Sequence, residues 1–166
     1  MFIKSRAVFE RSSYDGGVNS ILRSGAPLSD ETIAAYVQKI GKNVHDSLLE
    51  SGYDEQAAHH EATHRAMMVL KRFKTPPYKL ILPDFIKYLQ TWEPGFQHSN
   101  WLVLGSGWQH GLITVAEMLG EDAGPLISAF KDCLARVEWD ESNKDHVACR
   151  DAMKKAIADY QTKFGG

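Results

Sequence analysis

His60 and His64 stand four residues apart, with Glu61 beside the first, in the run His60-Glu61-Ala62-Thr63-His64. Residues at that spacing share one face of an α-helix. Two imidazoles so placed can grip one Zn²⁺, and a carboxylate between them can take a proton from metal-bound water. The chemistry would be metal-assisted hydrolysis, with His60 and His64 as ligands and Glu61 as general base. A third ligand has to come from elsewhere. Asp84, Glu93, His98 and His110 are the available donors, and Glu93 or His98 is the expected choice.

In these five residues the chain resembles the zincin metallopeptidases, and the resemblance implies a helical zinc site with those roles. It extends no further. Arg65 stands where that family carries an uncharged residue, and no His-x-x-Gly-x-x-His extension follows. Helical projection adds a physical objection. Turning Ala58, Ala62 and Val69 inward puts His60 and His64 on roughly the opposite, solvated side, with Lys71 between them. An ammonium there opposes a bound cation. The expectation is a solvated or structural histidine pair and no cofactor, with zinc hydrolysis as the alternative.

Other reactive residues give less. His45-Asp46 has the form of an HD dipeptide, but no histidine precedes it to complete a phosphohydrolase site, so a partly exposed histidine near a helix cap is expected. Cys133 and Cys149 fall on apolar helix faces and read as buried thiols rather than a nucleophile or a disulfide. Gly105-Ser106-Gly107 is too short for a phosphate loop and lacks a Gly-Lys-Ser/Thr ending, so it reads as a helix start.

The elements that must carry these groups are helices. Ser29 caps the first, Asp30 and Glu31 favour its positive end, and Ile33, Val37, Ile40, Val44 and Leu48 recur at helical spacing until Gly52. Asp54 caps a second, to about Phe73, with Ala58, Ala62, Ala66, Val69 and Phe73 on one stripe. Pro83 suits the first position of a third, with Phe85, Leu89 and Trp92 inward. Glu93 to Gly105 reads as irregular, with Trp101-Leu102-Val103-Leu104 as a buried strand or turn. Ser106 and Gln109 have capping-box spacing for a fourth helix carrying Trp108, Leu112, Val115 and Leu119. Pro125 starts a fifth with Leu126, Phe130, Cys133 and Val137, and the sixth carries Cys149, Met153, Ala156, Tyr160 and Phe164. Residues 1–27 read as irregular, with a short β strand or hairpin near Phe2 to Glu10. The expected fold is mostly α: a single domain over 1–166, with a helical bundle of about six helices over 28–166.

Composition narrows the function classes. About 43% of residues are apolar and 24% charged, enough for a real core and too apolar for a disordered chain. The net charge is -2, so no basic excess exists to neutralise phosphates, and direct nucleic-acid binding is not expected. No segment approaches a membrane span, and Lys4 and Arg6 interrupt any leader, so a cytoplasmic protein is expected.

Two surface features remain. Trp92, Trp101 and Trp108 crowd a short stretch with Phe96, a composition found at interface hot spots. Trp92 and Trp108 sit on inner stripes, which leaves Phe96 and Trp101 as the candidates for exposure. Between Glu117 and Asp145 acids outnumber bases, with Glu117, Glu121, Asp122, Glu138, Asp140 and Glu141 placed to meet a basic partner. The leading expectation is an inhibitor, adaptor or regulator that binds a protein, for instance in a nucleic-acid-handling complex. A ligand-binding helical bundle is a third reading.

Overall fold

The computed structural model describes residues 28–95, 99–105 and 111–165, and these form helices with no strand among them. Six helices have eight residues or more: α1 (Asp30–Glu50), α2 (Glu55–Leu70), α3 (Tyr78–Thr91), α5 (Leu112–Leu119), α6 (Gly124–Arg136) and α7 (Lys144–Phe164). A six-residue helix, α4 (Ser99–Leu104), precedes α5, and a 3₁₀ turn (Gly120–Ala123) joins α5 to α6. The strand or hairpin expected near the N-terminus lies outside the described residues. The chain gathers into two compact units, Met1–Ile81 and Leu82–Gly166, whose boundary falls inside α3.

In the first unit α1 and α2 form a helical hairpin. Each start is capped as the sequence directs: Ser29 Oγ accepts the Thr32 N–H at 3.1 Å, and Asp54 Oδ1 accepts the Ala57 N–H at 2.8 Å. Gly52, at φ +90°, supplies the left-handed residue that ends the α1 turn. Ile33, Val37 and Ile40 are buried from α1, while Val44 and Leu48 are only half-buried. Along α2 the expected stripe of Ala58, Ala62, Ala66 and Val69 is buried, and so is Phe73 just beyond it. Small residues let the helices approach: a Cβ on Gly41 would stand 4.0 Å from the Ala66 Cβ.

In the second unit α6 and α7 pack together, and α4 and α5 pack on α7. Phe85, Tyr88, Leu89 and Trp92 of the α3 segment are buried, with Leu102, Leu112, Val115, Leu126, Phe130, Cys133, Cys149 and Met153. Each fully buried Leu or Phe contributes about 1.5–3 kcal/mol. Gly120, at φ +58°, turns the chain from α5 into the 3₁₀ segment, and Pro125 sits in the first turn of α6.

Two elements depart from the sequence reading, and a third lies partly outside the described residues. α3 begins at Tyr78, so Pro83 lies inside it. Burial of Tyr78, Ile81 and Leu82 repays the one backbone bond that Pro83 removes, and the proline ring itself is exposed. The Trp101 segment is helical rather than a strand or turn. The described start of α5 is Leu112, after Gly111; Ser106, Trp108 and Gln109 lie outside the described residues.

Candidate functional site

The histidine segment lies on α2, as the spacing requires, but not on a solvated face. His60 is 3% exposed, with Thr63 and Arg65 also buried and His64 half-buried. Of the two readings, solvated or structural, burial removes the solvated one at His60, because α2 is buried on nearly all sides. Burial, reinforced by the neighbouring His59, pulls the His60 pKa down to about 4, so its ring is neutral at physiological pH. The His59 and His60 rings meet edge to face at 6.0 Å. Glu61 faces Arg65 on its own helix, Oε1 to Nη2 at 3.9 Å, which directs the proposed base toward a cation. Glu93 is exposed, and His98 lies outside the described residues. Among the described residues no group of three or more His, Cys, Asp or Glu side chains is placed to hold a metal ion.

His45 is part-buried and does structural chemistry. Its Nε2 meets Glu55 Oε1 at 2.8 Å, tying α1 to the first residue of α2, and its Nδ1 lies 3.2 Å from Asp46. The Glu55 carboxylate, against the opposing effect of burial, raises the His45 pKa. Cys133 and Cys149 are buried thiols, with no disulfide among the described residues. Burial pushes them up to about 11 and about 12. The Cys149 thiol donates to Asn100 Oδ1 at 3.3 Å.

All six acidic residues singled out in the sequence are exposed, but they divide into two groups. Glu138, Asp140 and Glu141 lie in the α6–α7 connection. There Asp140 Oδ1 accepts from Ser142 N at 2.9 Å and Ser142 Oγ at 2.6 Å, bonds that hold its carboxyl below the usual range. The Asp140 N–H donates to His146 Nδ1, and Glu141 pairs with Arg150. These groups shape the turn that leads into α7. Glu117 at the end of α5 and Glu121 in the 3₁₀ turn differ: neither carboxylate has a hydrogen-bonding partner among the described residues. Asp122 is exposed beside them.

Of the aromatic pair expected at the surface, only Trp101 falls among the described residues. Trp101 is half-buried on α4, and Phe96 lies outside the described residues. The exposed apolar side chains near the acids are Met118, at 53%, and Phe164, at 44%. Phe164 continues the buried stripe of α7 on paper, yet as the last residue of the helix it projects beyond full cover. Its ring lies 5.3 Å from that of Tyr160, whose hydroxyl donates to the Glu121 carbonyl at 3.0 Å. Ala116, Glu117, Gly120, Ile127, Tyr160 and Phe164 line a cleft of about 70 Å³ there.

Sequence reasoning missed two residues of the second unit. The Trp139 ring packs against Trp92 with centroids 6.1 Å apart and planes tilted by 43°, and its indole N–H donates to the Leu134 carbonyl at 3.1 Å. Arg136 Nη2 donates to the carbonyls of Leu89, at 3.1 Å, and Trp92. Neither belongs to a periodic stripe that would have exposed it. An open groove of about 420 Å³ runs along α6 from Pro125 to Arg136, facing Ile86, Leu89 and Gln90. Its rim carries Asp132 and Arg136, one charge of each sign, so it offers no preference to a charged ligand. Among the described residues no helix is long and apolar enough to cross a membrane. No protein-family model, curated protein or solved structure matches this chain, so its functional reading rests on the geometry above.

Proposed function

We propose that this protein works by binding another protein, as an adaptor, inhibitor or regulator, through the surface formed by the end of α5 and the 3₁₀ turn. One observation carries the reading: Glu117 and Glu121 hold exposed carboxylates without hydrogen-bonding partners, beside exposed Met118 and Phe164. Charge beside uncovered apolar area is the makeup of an interface, where the charges steer the encounter and the apolar side chains supply most of the retained affinity. The acids of the α6–α7 connection add to the field, but Asp140 and Glu141 already serve the turn.

Affinity capture from source-cell lysate at low salt tests this. The expected result is a stoichiometric protein partner, retained by the natural chain and lost with Glu117→Lys/Glu121→Lys. A preparation that returns only the bait, or a partner held equally by the charge-reversed chain, removes this surface from consideration.

A further inference from the structure

We propose that the cleft between α5, the 3₁₀ turn and the last turns of α7 receives a basic amphipathic helix of the partner protein, one aliphatic side chain entering the cleft. This rests on the interaction reading above and names the chemistry of what that surface binds.

The cleft's shape comes first. Ala116 and Gly120 are small, so the wall on the α5 side is low, and Ile127 closes the floor. On the α7 side Ala156, Tyr160 and Phe164 recur at the spacing of one helix face. A volume of about 70 Å³ accepts roughly one aliphatic side chain, not a drug-sized molecule. Phe164, 44% exposed, carries the apolar wall out to the mouth of the cleft. A helix presents such an anchor with further apolar residues one turn away, the recurrent helix-in-groove arrangement.

Charge then selects the occupant. Glu117 and Glu121 stand on the α5 side. Together with Asp159 they outnumber the two nearby lysines, Lys155, paired with Asp159 at 2.6 Å and also attracted by Glu117, and Lys163. A helix bearing Lys or Arg beside its aliphatic ridge meets complementary charge, and an acidic helix meets like charge.

The test uses the full chain, labelled with ¹⁵N, and an amphipathic helical peptide of leucine and lysine, with a leucine and glutamate peptide as counterpart. Amide shifts induced by the lysine peptide are expected to concentrate in residues 116–127 and 156–164. Phe164→Ala and Glu117→Lys/Glu121→Lys are each expected to weaken binding by about tenfold, the scale of an interface hot spot. Circular dichroism checks that the variants keep their helices. Shifts that scatter over the chain, equal response to the glutamate peptide, or unchanged affinity in Phe164→Ala overturns the proposal. So does concentration-dependent shifting of the same residues without peptide, which assigns the cleft to a second copy of this chain. If the peptide fails here while lysate capture still depends on Glu117 and Glu121, the surface stands and only the helical occupant is wrong.

Discussion

Arg136→Met removes the guanidinium that closes the end of α3 while keeping a similar apolar stem. The last four carbonyls of an α-helix have no partner within the helix, and Leu89 lies in the last turn of α3. Arg136 Nη2 donates to that carbonyl at 3.1 Å and to the carbonyl of Trp92 just beyond the helix. Hydrogen bonds from a charged donor contribute about 1.5–3 kcal/mol each when water is excluded. Arg136 is exposed, so water takes up much of what the substitution frees, and the expected total loss is about 1–2 kcal/mol. Urea unfolding followed by tryptophan fluorescence is the assay. All four tryptophans, Trp92, Trp101, Trp108 and Trp139, lie in residues 82–166, so their emission reports that unit, while circular dichroism reports both. The midpoint should fall with an unchanged slope, and Arg136→Lys should recover under half the loss, because the shorter, freely rotating ammonium loses more freedom and hydration to reach both carbonyls. An Arg136→Met chain as stable as the natural one, by either probe, would show that the α3 end needs no such cap.

His45 is raised in pKa chiefly by Glu55, so its contribution is full below pH 6.5 and fades as the pH rises through the raised folded value. At partial exposure it is worth under about 1 kcal/mol. Urea midpoints should therefore drop between pH 5.5 and pH 8 by more in the natural chain than in Glu55→Gln; parallel pH profiles would refute this. Gly41→Ala should stabilise the hairpin by about 0.5–1 kcal/mol, because the new Cβ makes only ordinary contacts at 3.7 and 4.0 Å with Ala62 and Ala66. Gly41→Val should reverse that sign in the same melt, since its branches must displace α2. With thiols raised to about 11 and about 12, thiolate at pH 8 is about 100-fold and 1000-fold scarcer than in the unfolded chain. A thiol reagent should then label Cys133 and Cys149 only as fast as the chain opens, and rapid native labelling of either would contradict their burial.

What was legible in the sequence follows from contrast. α1, α6 and α7 alternate apolar and charged residues at helical spacing, so the α1 start after Ser29, the α6 start near Pro125 and buried residues such as Val37, Phe130 and Met153 could be read directly. α2 lacks that contrast. Ala58, Ala62 and Ala66 mark one face, but His60, Thr63, Arg65, Met67 and Leu70 are buried too, so residues opposite the alanines are not residues in water. Projection locates a face and says nothing about what covers it. That is why projection sets His60 opposite the alanines yet leaves open whether it is solvated, when burial in fact makes it neutral. Phe164 shows the converse error, since periodicity continues to the end of a helix whether or not a neighbour reaches that far. The acidic residues were legible as a class, but the division between Asp140, bonded to Ser142, and Glu117, unbonded, is set by a turn two residues long. Local hydrogen bonding removes some carboxylates from the supply available to a partner. Hence the candidate surface lies at α5 and the 3₁₀ turn, although acids are just as frequent in the α6–α7 connection.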